Sequence, residues 1–453
     1  MGDRTEYKAD AFQVVPGINA RIAIAGALCC VLGPIGLAYG MLLHFASDVP
    51  ILDDYHAIFG FCLGWERLPT LESKIAYLVS YQHVDYKLVF QEVILAAELA
   101  LTHHISIRFL IVLGDLFLLP ILFLLWKLYP AKGLTRSERA IRFLPVVAIF
   151  FGLNYSETLD FAMGGLQILP SILFSMVAIY LLVGAMEDAS PGTFLVACLA
   201  AIVACLSSAS GFLLIPIGVA ALIVRRAYWK SMLWCAAFAL PGFVYRYHYT
   251  PFPHPPEVAF SLKPIFFLSL LGDGAPAYKL IIPAGVLIVT VYLLAVSVRY
   301  DRQSLAAFLW ATWLMLNAAL VTVGRARYGF DWSYTSRYRI YSDFLFIFCY
   351  QFALDRFAKA PFFERRKRLI YLGALFASLV LCLRADMIGL EFLEGRRQKL
   401  QIGLEQYRAA PNLKSPMYLA NPGHDGGAQE EARILTNEAV AAGIYRLPAP
   451  GDP

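Results

Sequence analysis

Charge is scarce in this sequence. Asp, Glu, Lys and Arg make up 16% of its 453 residues, against about 25% in an ordinary soluble domain, while hydrophobic residues make up 59%. A soluble globular enzyme is excluded at that point. Paired cysteine chemistry is missing as well. Of eight cysteines, seven (Cys29, Cys30, Cys198, Cys205, Cys235, Cys349 and Cys382) lie in apolar runs and only Cys62 falls in an expected loop, so neither a disulfide framework nor a CxxC metal site follows. The sequence has no internal repeat of fixed period. The first apolar run, Arg21 to Phe45, is longer than a signal-peptide core of about 7–15 residues and ends without a small-x-small cleavage site. It reads as a transmembrane helix.

What is present is a series of apolar runs along most of the chain, which predicts an all-α polytopic membrane protein. Basic residues in short loops set the orientation. Arg4, Lys8 and Arg21 precede the first span and put the N-terminus in the cytoplasm. The segment 51–104 then lies outside as a first external loop. Its helical patterns carry Glu66, Glu72, Asp85, Glu92 and Glu98, too many charges to span, and predict two or three interfacial helices. Spans follow at about Ile105–Trp126, from Phe143, Leu166–Glu187, two short helices within Thr193–Val224 broken at Ser207–Gly211, Ser231–Tyr247, Leu280–Val298, Ala306–Val323, Ile340–Leu354 and a last one to Leu383. Phe260–Leu271 reads as a further surface helix. The expectation is about eleven spans in a module covering 1–384, with a small external tail at 385–453 that opens on an amphipathic helix to Arg408 and continues as a Pro/Gly-rich stretch around Asn421–Gly427. No nucleic-acid partner is expected.

Two features stand out at the external surface. Ile51-Leu52-Asp53-Asp54-Tyr55-His56 sets two carboxylates directly after the first span. One Asp there can cap the next helix, and the other is free to act as a general base near the apolar edge. The second feature breaks the orientation rule: Arg325, Arg327, Arg337 and Arg339 lie outside, among Tyr328, Trp332, Tyr334, Tyr338 and Tyr341. Arginine holds phosphate through a planar fork of donors that never loses its charge, so an anionic ligand accounts for the cluster. Pairing with Asp331 and Asp343, or contact with lipid headgroups, is the plainer alternative. His56, His83 and His254 are also external and match no compact metal spacing; no cofactor is required, and a divalent cation stays open. Glu157 and Gln167 border an apolar span on the same side and are candidates to line the same cavity.

The Asp-Asp pair in the first external loop, the interfacial helices behind it, Glu157 through Gln167 and the late Arg-rich segment Gly324–Tyr338 resemble the GT-C superfamily of integral-membrane glycosyltransferases. The resemblance is architectural over about Arg21–Leu383, and the sequence departs from it at His83-Val84-Asp85-Tyr86. It implies a GT-C-like fold and a polyprenyl-phosphate-linked sugar as donor; a bacterial inner membrane is the expected location, for the compact chain and want of a retention signal, with an endoplasmic reticulum as the alternative. A glycan, lipid or protein hydroxyl would be the acceptor, with membrane lipids as surroundings. Asp53 or Asp54 would match the family's acidic catalytic position, and Arg325, Arg327, Arg337 and Tyr338 its lipid-phosphate contacts. Two alternatives remain at this stage: a lipid-linked glycan polymerase or ligase, which shares the need for external arginines, and a flippase, which would place broken helices and polar residues at mid-membrane.

Overall fold

The computed structural model describes residues 20–129, 134, 136–188, 190–257, 259–275, 277–357, 367–409 and 426–449. Arg4, Lys8, Lys132 and Asn421–Asp425 lie outside the described residues, as does most of the basic stretch between Arg356 and Arg368. The described residues are helical and contain no strand, only two isolated bridges.

The first half of the chain supplies α1 (Ala20–Phe45), α2 (Phe61–Glu66), α3 (Leu71–Ser80), α4 (Val89–Thr102), α5 (Ile107–Asp115), α6 (Leu118–Leu128), α7 (Arg136–Phe150), α8 (Ser156–Leu159), α9 (Ala162–Asp188) and α10 (Pro191–Ser207). The second half supplies α11 (Leu214–Val224), α12 (Tyr228–Ala237), α13 (Ala239–Arg246), α14 (Lys263–Gly272), α15 (Tyr278–Val296), α16 (Arg302–Arg325), α17 (Ser336–Phe357), α18 (Lys367–Ala409) and α19 (Gly426–Ala441). Among the described residues five stretches are long and apolar enough to cross a bilayer, as an integral membrane protein requires: Ile107–Leu128, Ala162–Met186, Tyr278–Val296, Arg302–Tyr328 and Leu369–Ala409. Shorter apolar helical segments accompany them, and eleven spans are not confirmed among these residues.

The difference has local causes. Ser208 is extended, and its hydroxyl accepts from the Ser210 N–H; the run from Thr193 to Val224 therefore divides where the small residues predict. The run from Ser231 to Tyr247 divides too, at Phe238. α17 is as long as a span but carries Arg337, Arg339, Asp343, Asp355 and Arg356.

α9 is the axis of the bundle, with 78% of its apolar window inside the protein. α5, α6, α10 and α16 pack around it, and one core of aliphatic and aromatic side chains runs from Leu42 through Leu169, Ile172 and Trp313 to Phe344. By contrast α15 and α18 are peripheral, only 22% and 17% buried, as helices facing lipid would be.

Several expectations for the surface helices need correction. α4 is not an interfacial helix: Gln91, Glu92, Leu95, Glu98 and Leu99 are buried, and it packs on α9 and α10. Its 14 residues rise only about 21 Å, which is why it does not span. α14 is likewise inside, with Phe266, Ser269 and Leu270 buried against α15, α16 and α17. Cys62 lies in α2 and is buried, not in a loop. α3 is a surface helix, with no buried residue and a Thr70/Ser73 capping box.

The described part of the tail is helical, as expected as far as Arg408. α18 continues without a break for 43 residues, about 65 Å, twice the hydrocarbon thickness. Its projecting half buries Leu400 and Leu404 against Val49, Ile51, Phe161 and Met163. α19 then packs on the 55–60 turn, the Ile105 N–H donates to the Ile444 carbonyl at 2.7 Å, and the Tyr445 hydroxyl donates to the Asp48 carbonyl at 2.6 Å. The C-terminal segment is thus part of the wall around the first loop.

Candidate active site

The site forms where the loop after α1, the turn after α3, the start of α9 and the 326–334 segment meet. Asp53 and Asp54 are adjacent, and the fold sends them to different places. Asp54 is fully buried and accepts from the Ile51 N–H at 3.2 Å and from the Met163 N–H at 2.9 Å. Met163 is in the first turn of α9, whose free N–H groups and positive dipole end favour a carboxylate. Burial pushes the Asp54 carboxyl up to about 7, against the pull of those two N–H groups. Asp54 ties the loop to α9; it does not cap the helix that follows it, since its side chain makes no bond there.

Asp53 keeps a third of its side chain exposed, at 34%. Its Oδ1 lies 3.7 Å from His83 Nε2. Burial raises this carboxyl, but His83, Arg337 and Arg325 outweigh it and hold it below the usual carboxylate range. An ionised, reachable carboxylate is what a general base requires.

The backbone on both sides of this contact is strained. Leu52 has φ +48° and Val84 has φ +52°, left-handed values that a bulky or β-branched residue rarely adopts. Each precedes or follows one partner of the Asp53–His83 contact. Residues 83–86 close a tight turn through reciprocal backbone bonds of 2.9 and 2.8 Å between His83 and Tyr86. Strain of this kind costs about 1–3 kcal/mol and persists where the surroundings enforce it, often at functional sites. Residues 55–60 form a π-helical turn, another feature frequent at such sites.

The arginines are sorted by their partners. Arg337 is nearly buried and donates from Nε and Nη2 to Glu157 Oε1 at 2.9 and 2.6 Å; its guanidinium lies over Phe161 and Trp332. Arg325 donates to the Tyr86 hydroxyl and sits 5.8, 5.5 and 5.4 Å from the rings of Tyr86, Tyr328 and Trp332, with Tyr338 beside it. No carboxylate pairs with Arg325 among the described residues. Arg327 is at the rim, 2.5 Å from Glu257, which also holds Lys263 at 2.6 Å. Arg339 points elsewhere and pairs with Asp273 at 2.9 Å. The alternative of pairing with Asp331 and Asp343 does not hold: the partners are Glu157, Glu257 and Asp273, and Asp343 accepts from Asn154 at 3.0 Å.

The histidines divide in the same way. His83 is buried at the site, and its Nδ1 lies 3.0 Å from His56 Nδ1. His254 is at the rim, with Nε2 3.0 Å from Asp85 and Nδ1 2.8 Å from the Tyr328 hydroxyl; it anchors the proline-dense loop 251–256 over the site's edge. Among the described residues no three His, Cys, Asp or Glu side chains converge to hold a metal ion, because each His83 nitrogen faces a different partner. Gln167 is half-buried on α9 and is not brought into contact with Asp53 or the arginines.

Asp53, His83, Glu157, Arg325, Arg337 and Tyr338 are therefore brought together, while Asp54 is structural and Arg327 and His254 form the rim. Two contributors carry no signal in the sequence. Glu257 follows a run of prolines, and Glu431 approaches His56 Nε2 at 4.0 Å from α19, at the far end of the chain. Tyr86 is legible only through the arginine that needs a partner. Comparison with protein-family models, with curated proteins and with solved structures returns no match for this chain.

Proposed function

From this site, with no relative to supply a premise, we propose that the chain is a membrane glycosyltransferase of the GT-C kind that its sequence resembles. It takes a sugar from a polyprenyl-phosphate donor and passes it to an acceptor hydroxyl at the external face. The observation that carries the reading is an accessible Asp53, held ionised by His83 and the arginines, in one site with Arg325, a guanidinium among aromatic rings that forms no salt bridge among the described residues. In this mechanism Asp53 takes the acceptor proton as the hydroxyl oxygen attacks the anomeric carbon. The bond from that carbon to the phosphate oxygen breaks on the opposite face, so the configuration inverts and no enzyme-linked intermediate forms. The leaving lipid phosphate gathers negative charge, and Arg325 stabilises it more strongly than it stabilises the substrate. Arg337, locked by Glu157, keeps Trp332 and the carboxylate side of the site in place. Under this reading the Asp53 end of the bundle faces the periplasm of a bacterial inner membrane.

The test is release of label from a panel of polyprenyl-phosphate-linked radiolabelled hexoses and pentoses by the purified full-length protein in detergent. Turnover that collapses in Asp53→Asn and persists in Asp54→Asn supports the reading and assigns the base. No turnover with any donor, or equal turnover in wild type and Asp53→Asn, overturns it. The polymerase or ligase reading uses the same arginine chemistry on a lipid pyrophosphate, and loss of activity in Arg325→Ala with none in Asp53→Asn would favour it.

A further inference from the structure

A cavity of about 270 Å³ lies on the Arg339 side of α17, apart from the groups assigned to Asp53 and Arg325. One of its walls is α15, through Tyr278 and Ile281; the other is α18, through Leu381, Ala385 and Ile388. Of the five long apolar stretches these two helices are the least buried, at 22% and 17%, so the gap between them opens toward lipid. α15 becomes membrane-spanning at Tyr278, which puts the cavity where a span ends and headgroups begin. Tyr278 and Tyr334, whose hydroxyls are 3.5 Å apart, are of the residue type that favours that depth.

The gap is built into the packing. α15 is drawn against α14, where a Cβ at Gly272 would stand 1.8 Å from the Ile281 carbonyl oxygen; only glycine permits that approach. α18 is drawn instead against the 153–155 turn. A Cβ at Gly389 would stand 2.4 Å from the Leu153 carbonyl oxygen, and Asp386 accepts from the Leu153 N–H at 3.0 Å. Each wall is committed to a different neighbour, and the space between them stays open.

The floor is polar but has no cation to spare. Each Arg339 nitrogen is engaged: Nε donates to Asp273 at 2.9 Å, Nη1 to the Asn154 carbonyl at 3.5 Å and Nη2 to the Tyr334 carbonyl at 3.2 Å. A second carboxyl, Asp343, is held by the Asn154 amide. A phosphate would have to displace the buried Asp273 to reach the guanidinium, and an unpaired buried carboxylate is costly. The groups left over are uncharged. Asn154 Oδ1 accepts no bond among the described residues, and the Tyr278 hydroxyl accepts from Tyr334 but donates to none of them. An acceptor together with a hydroxyl suits a ligand that carries hydroxyls of its own. The volume falls just below the roughly 300–1,000 Å³ that encloses a whole drug-sized molecule, which is room for a headgroup and not for its chains.

We propose that this cavity seats the headgroup of an uncharged, hydroxylated membrane lipid of the glycosyl-diacylglycerol class, whose chains stay in the bilayer between α15 and α18. The proposal is independent of the glycosyl-transfer reading, since the anion site is on the Arg337 side of the same turn.

The experiment uses the full-length protein, freed of co-purifying lipid by detergent exchange. Native mass spectrometry then measures the binding of monoglucosyl-diacylglycerol, phosphatidylethanolamine and phosphatidylglycerol of one chain length. Wild type should hold one glucolipid molecule at least about 10-fold more tightly than either phospholipid, a margin that one or two hydrogen bonds supply. Tyr278→Phe should weaken that binding about 3- to 10-fold, the worth of one neutral hydrogen bond. Ala385→Trp fills the cavity from α18 and should abolish it. If that variant does not fold, Tyr278→Phe decides, because Tyr278 is 72% exposed and its ring is kept. Absence of bound glucolipid, equal binding of all three lipids or preference for either phospholipid overturns the proposal. Unchanged glucolipid binding in Tyr278→Phe, or in a folded Ala385→Trp, overturns it as well.

Discussion

Arg337 and Arg339 leave the same turn of α17 in opposite directions, and their surroundings differ in a way that separates recognition from scaffolding. On one side Arg337 pairs with Glu157, and beside it are Asp53, Trp332 and a second guanidinium, Arg325, that forms no salt bridge among the described residues. On the other side Arg339 pairs with Asp273, whose side chain is 1% exposed. It borders a cavity of about 270 Å³ lined by Asn154, Tyr278, Tyr334 and Leu381, where Asp343 is in turn held by Asn154. On this second side the cation Arg339 is matched by Asp273, and Asp343 is held by the Asn154 amide. A region whose cation is paired holds helices together, whereas one that keeps a cation among aromatic rings has capacity left for an anion.

The largest expected effect that would sharpen the contrast is on catalysis. Asp53→Asn should lower turnover by at least about 100-fold, the usual contribution of a general base, and leave the unfolding temperature in detergent unchanged. A matching loss of stability would instead make Asp53 a scaffold residue like Arg339. Next in size, Arg339→Ala should cost about 3 kcal/mol of stability by leaving Asp273 buried and unpaired, while the same protein, once folded, keeps its donor affinity. Arg325→Ala should do the reverse: donor affinity falls about 10- to 100-fold, the worth of a charged hydrogen bond of about 1.5–3 kcal/mol, and the melting curve does not move. If both arginine variants weaken donor binding equally, the two regions are not distinct.

Asp54 offers a smaller test inside the first region. Asp54→Ala removes the acceptor for two buried N–H groups, at about 1–3 kcal/mol each if they stay unpaired, so it should lower stability more than it lowers the turnover of the folded fraction. The pH dependence is smaller still. Burial raises the Asp54 carboxyl from its ordinary 3.8 to about 7. The folded state therefore binds that proton more tightly than the unfolded chain does. The associated stability is fully present below pH 3.8, falls as the pH rises towards about 7 and is flat above it. Comparing the stability of wild type and Asp54→Asn between pH 4 and 8 isolates this contribution, which the Asn variant should lack. Asp53 has the opposite sign: held below the usual range, it loses activity only as the medium becomes more acidic than an ordinary carboxylate would require.

Much of the fold is legible residue by residue. α9 and α16 follow from uninterrupted apolar runs, and the break at Ser207–Gly211 follows from small residues whose hydroxyls compete for the backbone. The arginine cluster is legible because it violates the loop-charge pattern. The burial of α4 is not, since Glu92 and Glu98 read as surface charges until their neighbours are known. Nor is the division of labour between Asp53 and Asp54. Neighbours in a chain have nearly identical local signals, and only the position of Met163 decides which of them is consumed by a backbone.

Composition and hydrophobic period determined that this chain is helical and built for a membrane, because every backbone polar group in hydrocarbon must be satisfied within its own helix. Those are local constraints, written in consecutive residues. The tertiary structure alone decided that Arg325 forms no salt bridge among the described residues, that Arg339 does, and that Glu431 stands beside His56. These are meetings of segments far apart in the chain, and electrostatic partnership depends on distance in space, which no run of consecutive residues encodes.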